Sequence, residues 1–340
     1  MYVQRVFNPI AILGFSIVPL LAFTAYAALI TYLYAYLDFE WLKIPWVPLT
    51  LVGIAVAFYI GFKNNSAYDR TWEARKIWGG IVNSSRSWGT MVSGFVTNEF
   101  AETKLTEAEL TAHKKRLIYR HIAWTYRLKR QLRVLKEWEH DARLNIRYRK
   151  HIEKLFPTAD PESELAQFLA DKEVLEILSK KNSCTQLIHK QSEELKELKA
   201  MGLIDDFRHM ELQGLLTEFY TLQGKCERIK NFPLPRQYAS LSIYFVYIFI
   251  FLLPLGLLST FDNSDLDPIM IWGVVPFTSL IGWVFWMMEG VGDYAENPFE
   301  NLAFDVPMTA LTRTIEIDLR EMLGETDLPP SIGPKDGFII

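Results

Sequence analysis

The sequence has 340 residues, of which half are hydrophobic and 14% are aromatic, and its formal net charge is −4. This composition is too apolar for an ordinary soluble domain, yet 22% of the residues are charged. We therefore expect one part of the chain to lie in a membrane and another part to lie in water.

Four stretches lack Asp, Glu, Lys and Arg, and each is long enough to cross a bilayer as a helix. A membrane helix rises about 1.5 Å per residue and needs roughly 20 apolar residues. The first stretch is too long for the apolar part of a cleaved signal peptide, so we expect it to stay in the mature protein. The four stretches are residues 7–37, 44–62, 237–261 and 268–288.

The second stretch continues without a proline into a charged segment, residues 63–80, which predicts one helix that leaves the membrane. Ile54, Phe58 and Phe62 are four residues apart and share one face of this helix. Two interpretations are open. In the first, the three residues pack against neighbouring helices, as apolar stripes usually do. Alternatively, several copies surround an axis, and the three side chains form rings of a hydrophobic neck that blocks ions by dewetting.

Residues 63–236 are polar and rich in helix formers, so we expect helices that lie in water. Thr106 and Glu109 predict a helix start, and Pro157 and Pro161 predict a break. Further helices are expected over residues 162–180, 184–200 and 205–229. A buried helical face is predicted for Leu117, His121, Trp124, Leu128, Leu132 and Leu135.

The opposite face of the same segment is basic from Lys114 to Lys154. We expect this face to be solvated rather than to bind nucleic acid, because acidic residues are interleaved from Glu137 onward. Cys184 and Cys226 are the only cysteines, and we expect both to be free thiols.

Basic residues beside the apolar stretches place residues 63–236 and both chain termini in the cytoplasm. The expected organisation is membrane helices one and two with the neck (1–62), a cytosolic helical domain (63–236), membrane helices three and four (237–290), and a cytosolic C-terminal helix and tail (291–340). The two short connections on the opposite side are acidic. Their acidic residues are Asp38, Glu40, Asp262, Asp265 and Asp267.

Three acidic residues, Glu289, Asp293 and Glu296, follow the fourth apolar stretch at near-helical spacing. They would bind a cation or pair with basic residues at the membrane edge. Pairing is favoured, because charges that are partly removed from water usually find partners. The expected partners are Arg70, Arg75 and Lys76.

Residues 61–79, which read GFKNNSAYDRTWEARKIWG, closely resemble the signature that follows the pore helix in prokaryotic members of the bestrophin family of ion channels. The ENPF sequence at residues 296–299, the DVP sequence at 305–307 and the helix from Leu311 are similar to further elements of this family. Residues 224–229 and 233–235 also resemble it. With four membrane segments in the expected order, the resemblance covers nearly the whole chain.

The resemblance implies an all-α membrane protein that assembles as a homopentamer around a central pore, in a bacterial inner membrane. Carried onto this sequence, the family's neck residues are Ile54, Phe58 and Phe62, and Met210 lies at a second constriction at the cytosolic exit. The implied partners are membrane lipids and permeant monovalent ions. Neither a cofactor, a metal nor a nucleic acid is implied.

One difference from the family concerns calcium. In animal bestrophins, a cluster of acidic residues directly after the NPF element helps to bind calcium. The corresponding residues of this chain, 300–305, read ENLAFD. Leu302 and Phe304 supply no side-chain oxygen, and a calcium site needs six to eight oxygen ligands. We therefore predict no calcium activation at this position.

The sequence leaves more than one interpretation open for the permeant ion and for the kind of activity. Animal bestrophins conduct anions, and prokaryotic members include channels that prefer monovalent cations. The acidic outer connections would concentrate cations at the outer mouth, or they merely keep short loops solvated. We predict a preference for cations, with an anion channel, a non-conducting scaffold and a membrane-embedded enzyme on a lipid-linked substrate as alternatives. The enzyme is disfavoured because the four stretches contain no titratable Asp, Glu, Lys, Arg or His.

Overall fold

The structure is a computed structural model that describes residues 1–140, 143–157, 159–262 and 268–340. Within these ranges the chain is helical, and extended backbone pairs only in isolated bridges at Phe338. The α-helices are α1 (Pro9–Leu37), α2 (Trp46–Phe95), α3 (Glu107–Arg133), α4 (Arg143–Leu155), α5 (Pro161–Ala166), α6 (Asp171–Ser179), α7 (Ser183–Ala200), α8 (Asp206–Asn231), α9 (Arg236–Phe261), α10 (Val274–Ala295) and α11 (Met308–Met322).

The chain forms two compact units. The first, which we call the membrane unit, contains Gln4–Arg70 and Pro233–Glu296. The second, which we call the polar unit, contains Met1–Val3, Thr71–Phe232 and Asn297–Ile340.

The membrane unit contains the four helices that are long and apolar enough to cross a membrane, namely α1, the first half of α2, α9 and α10. This confirms the four stretches predicted from the sequence. Inside the unit, α1 packs against α9 and α10. The core includes Leu49 and Ile60 of α2 together with Phe249 and Leu253 of α9.

Helix α2 has 50 residues and continues from its apolar part into its charged part, as the sequence predicted. Pro48 lies in the first turn, where a missing backbone N–H removes no helical hydrogen bond. No proline follows Pro48 within α2, so every later residue can donate its backbone N–H and the helix runs on past Phe62.

The polar unit is organised around α3. This helix starts with the predicted capping box, in which Glu109 N donates to Thr106 Oγ1 and Thr106 N donates to the Glu109 carboxylate. Helices α5, α7, α8 and α11 pack against α3. At the centre, the His121 ring lies 4.4 Å from the Phe219 ring and 5.3 Å from the Trp124 ring, measured between ring centroids.

Several helix boundaries differ from the prediction. Five of the six residues of the predicted apolar face of α3 are buried. The sixth, Leu135, is exposed because α3 ends at Arg133. The chain turns there because Glu139 accepts a bond from Lys136 N while its carboxylate binds Lys230. The single helix predicted over 162–180 is two helices, α5 and α6. The interruption lets both Phe168 and Leu169 reach the core.

The expectation of a fully solvated basic face on α3 is wrong. Arg120 and Lys129 are buried and form ion pairs inside the polar unit. Arg120 binds Glu173 and Glu194, each at 2.7 Å, and Lys129 binds Glu164 at 2.8 Å. Helical spacing marked these positions as polar, but it did not reveal that acidic residues from other helices cover them.

Candidate functional site

One side of α2 in the membrane unit is buried at regular intervals. Its buried residues are Leu49, Gly53, Val56, Ile60, Lys63 and Ala67. These positions are separated by three or four residues, so they form one stripe along the helix. The opposite side of α2 consequently points away from the subunit's own core.

Ile54, Phe58 and Phe62 lie on this outward side. Their side chains are 63%, 67% and 54% exposed in the single subunit. The Phe58 and Phe62 rings contact each other edge to face, with centroids 4.5 Å apart. The three side chains are therefore not buried in the subunit's own core, and their role in a neck stays a prediction.

The buried side of α2 packs closely on α9. A Cβ atom at Gly53 would lie 2.8 Å from Phe249 Cε2, and a Cβ atom at Gly256 would collide with Leu49. The two glycines thus let the helices approach each other at two levels. An apolar cavity of about 290 Å³ remains beside Ile54, between α2, α9 and α10.

Lys63, the charged member of the buried stripe, forms an ion pair with Glu289 of α10. The Glu289 carboxylate also accepts a hydrogen bond of 2.9 Å from Ser242 Oγ of α9. Lys63 is fully buried and Glu289 is 5% exposed. The expected partner of Glu289 was Arg70, Arg75 or Lys76, and the structure corrects this to Lys63.

The other two acidic residues of this segment also have basic neighbours. Asp293 Oδ1 lies 3.9 Å from Lys63 Nζ. Glu296 pairs with Arg236 at 3.4 Å, and Arg70 Nε donates to the Glu296 carbonyl oxygen at 2.7 Å. The predicted pairing of these acidic residues with basic residues is therefore present.

Met210 lies near the start of α8 in the polar unit and is 70% exposed. The side chain of Asp205 caps this helix by accepting from Arg208 N at 2.7 Å. Arg208 pairs with Glu99 at 2.6 Å and stacks over Phe100, so the first turn of α8 is firmly held. Whether copies of Met210 meet at an axis stays a prediction.

The acidic outer connections are not equivalent. Asp38 ends α1 in a left-handed conformation with φ 55°, and both Asp38 and Glu40 are exposed. Asp262, in contrast, forms an ion pair with Lys43, which lowers the pKa of the Asp262 carboxyl and offsets its charge. Asp265 and Asp267 lie outside the described residues.

The segment after the NPF sequence belongs to the polar unit. Glu300 is buried and binds His140 Nδ1 at 2.9 Å and Arg149 at 3.2 Å. Asp305 is also buried, and its pKa is raised to about 7 because burial removes water from the carboxyl and because Glu300 lies nearby. Among the residues that the structure describes, no group of three His, Cys, Asp or Glu side chains is arranged to hold a metal ion.

Comparison with known proteins agrees with the resemblance in the sequence. Residues 10–321 match the sequence model of a family described as bacterial/fungal bestrophin protein. A voltage-dependent anion channel-forming protein of Mesorhizobium japonicum is 27% identical over 328 residues, which cover 95% of this chain and 91% of that protein. An Escherichia coli protein of the same description is 26% identical over 295 residues, which cover 86% of this chain and 82% of that protein.

Solved structures show a similar fold. The crystal structure of a bacterial bestrophin homologue from Klebsiella pneumoniae superposes with a TM-score of 0.74. Its sequence is 23% identical, and the superposition covers 91% of this chain and 99% of that one. At this identity the likeness supports the helical architecture.

Proposed function

Because this chain belongs to the bacterial and fungal bestrophin family, we propose that it is an ion channel in which five copies surround an axial pore. Ile54, Phe58 and Phe62 of each copy line the neck of this pore. Met210 of each copy lines a second constriction at the cytosolic end. The pore conducts ions passively, and the chain performs no catalysis.

The exposed apolar face of α2 is the observation that carries this proposal. Two phenylalanines and an isoleucine point away from the subunit's core at successive turns, whereas the opposite side of α2, from Leu49 to Ala67, is buried in that core. Around an axis, these side chains would form three apolar rings. A narrow apolar constriction excludes water and therefore ions, and a small widening lets both pass.

The same face continues beyond the apolar rings with polar residues. Asn65 and Asp69 follow Phe62 at helical spacing and are exposed. This change from apolar to polar supports a neck that opens into a wetted conduit. In the proposed topology, residues 63–236 and 291–340 and both termini lie in the cytoplasm of a bacterial cell whose inner membrane holds α1, α9, α10 and the first half of α2.

For the permeant ion, we propose monovalent anions. The curated relatives are described as anion channel-forming proteins. Lys43 offsets the charge of Asp262, which weakens the acidic ring on which the expectation of a cation preference depended. A cation preference remains the second candidate, and the exposed carboxylates of Asp38 and Glu40 favour it.

The direct test is to reconstitute the purified protein in liposomes and to measure ion flux and the reversal potential across a salt gradient. We expect Phe58→Ala and Phe62→Ala to raise flux, because a wider and less apolar neck wets more easily. Phe251→Ala is the matched control, since this exposed phenylalanine lies on α9, away from the proposed neck. Absence of flux in the wild type and in both neck variants would remove the proposal.

The same recordings separate the two ions. An anion channel has a reversal potential close to the equilibrium potential of chloride. The double variant Asp38→Asn with Glu40→Gln should have the same reversal potential as the wild type. If cations are preferred because of the outer acids, the reversal potential lies near that of the cation, and neutralising these acids shifts it toward zero.

A further inference from the structure

Charges that are buried in a protein usually have a partner, because an unpaired charge that is removed from water is costly. Lys63 and Glu289 are both buried in the membrane unit, and they join α2 to α10. Ser242 adds a hydrogen bond from α9. Three helices therefore meet at one charged contact.

This contact lies directly beside the neck in the sequence of α2. Lys63 follows Phe62, and neighbouring residues of an α-helix point about 100° apart. If α2 rotated enough to turn Phe62 toward a different neighbour, Lys63 would leave Glu289. The direction of Phe62 and the ion pair are thus geometrically coupled.

Neighbouring contacts make the same region rigid. Asn64 Nδ2 donates to the Met288 carbonyl oxygen at 2.9 Å. Gly292 lacks the Cβ atom that would otherwise collide with the Asn64 side chain. The helices α2 and α10 are consequently in contact beside the ion pair, where Asn64 lies between Met288 and Gly292.

The chemistry of the pair explains why it would specify an orientation. The hydrophobic effect is non-directional, so the apolar contacts of the buried stripe specify the rotation of α2 less strictly than a buried ion pair does. A charge in a medium of low dielectric constant strongly prefers its partner, and removing one partner leaves the other buried and uncompensated. Buried ion pairs are best known for fixing register and orientation rather than for adding stability.

We propose that Lys63 and Glu289 are positioning residues of the neck. Their ion pair fixes the rotation of α2 about its own axis and so holds Phe58 and Phe62 outward from the subunit's core. The inference rests on the proposed function, because it assumes that the outward side of α2 faces the pore axis.

The test uses cross-linking of the full-length protein in membranes. A Phe62→Cys variant places one thiol from each copy at the axis, where diamide oxidises two thiols to an inter-subunit disulfide. The native Cys184 and Cys226 are fully buried, and burial raises the pKa of both thiols, so they react slowly under these conditions. The readout is the fraction of cross-linked dimer.

In the Phe62→Cys background, we expect Lys63→Met and Glu289→Gln each to cause loss of most of the cross-linked dimer. Exchange of the charges, Lys63→Glu with Glu289→Lys, should recover a large part of it. Lys43→Met is the matched control, because it breaks a Lys–Asp pair in the same unit that is partly exposed. This variant should cross-link as strongly as Phe62→Cys alone.

Equal cross-linking in all of these variants overturns the inference but leaves the channel proposal intact. Failure of Phe62→Cys itself to cross-link, together with absence of ion flux in the wild type, overturns the channel proposal instead. If Lys63→Met does not fold, Glu289→Gln still decides, since it keeps the side-chain volume and the bond to Ser242. If the pair only stabilised the fold, its removal would lower the melting temperature without changing cross-linking in the folded fraction.

Discussion

Lys230 Nζ lies 2.6 Å from both carboxylate oxygens of Glu139, and both side chains are buried in the polar unit. The pair connects the end of α8 to the turn that follows α3. The pair favours the end of α3 at Arg133, because the turn after this helix brings Glu139 to the ammonium group.

Lys230→Met should destabilise the polar unit strongly. The substitution leaves the Glu139 carboxylate buried without its partner, which typically costs about 3–5 kcal/mol. In a thermal unfolding experiment we expect the melting temperature to fall by roughly 10 °C. Lys199→Met is the control, because the Lys199–Asp206 pair is largely exposed and should contribute little. Equal shifts in the two variants would contradict this.

Asp305→Asn should stabilise the protein, and the gain should grow with pH. The folded-state pKa of Asp305 is raised to about 7 from 3.8, chiefly by burial. The charged groups that interact with it include Glu300, Arg133, Lys230 and the N-terminal amine. The unfolded chain therefore loses this proton at a lower pH than the folded one, and the wild type loses stability as the pH rises from about 4 to 7. Asparagine cannot ionise and avoids this loss.

The measurement for Asp305→Asn is the melting temperature at pH 4, 6 and 8. We expect a clear gain at pH 8 and almost none at pH 4. Asp336→Asn is a suitable control, because Asp336 is exposed and asparagine also accepts its positive φ. A gain that is independent of pH would show that the titration of Asp305 is not its cause.

His121 should produce the opposite pH dependence. Burial lowers the pKa of His121 to about 3, and its Nε2 atom lies 2.8 Å from Ser85 Oγ within the aromatic cluster. The unfolded chain binds a proton near pH 6.5 and the folded one does not, so stability falls as the pH drops below about 6.5.

His121→Gln should reduce this loss at acid pH, because glutamine keeps a polar atom for Ser85 but binds no proton. The check is the difference in melting temperature between pH 7.5 and pH 5, which should be smaller in the variant. His189→Gln, an exposed histidine of α7, should leave the difference as in the wild type. An unchanged difference in His121→Gln would mean that other groups cause the acid sensitivity.

The membrane unit offers a matched pair of glycines. A Cβ atom at Gly292 would collide with the Asn64 side chain, whereas a Cβ atom at Gly290 meets no atom of the same subunit within 4 Å. We expect Gly292→Ala to lower the melting temperature in detergent, because it displaces Asn64 from Met288. Gly290→Ala should be neutral or slightly stabilising, since alanine favours a helix more than glycine does. Similar losses in both variants would indicate that the contact with Asn64 is unimportant.

Local patterns in the sequence predicted those elements that local interactions determine. The uncharged stretches identified the membrane helices, and Thr106 with Glu109 predicted the start of α3. The absence of a proline after Phe62 predicted that α2 continues into its charged part, although the helix ends at Phe95 rather than near residue 80. Each of these features depends on residues that are close together in the chain.

Contacts between distant residues were not predictable in this way. Lys63 and Glu289 are 226 positions apart, and only the packing of α2 on α10 brings them together. A signal was nevertheless present, because Lys63 continues the spacing of Gly53, Val56 and Ile60 along the buried stripe. A lysine at such a position predicts a buried partner, although it does not identify which acid.

The placement of the Lys63–Glu289 pair away from water has one more consequence. Dissolved electrolyte weakens interactions between exposed charges, such as Lys199 and Asp206, but it hardly reaches a pair enclosed by three helices. In the proposed channel, the ionic strength at the protein's own surfaces would change with the salt that flows through it. Such changes would loosen its surface contacts while the orientation of the α2 side chains stays the same.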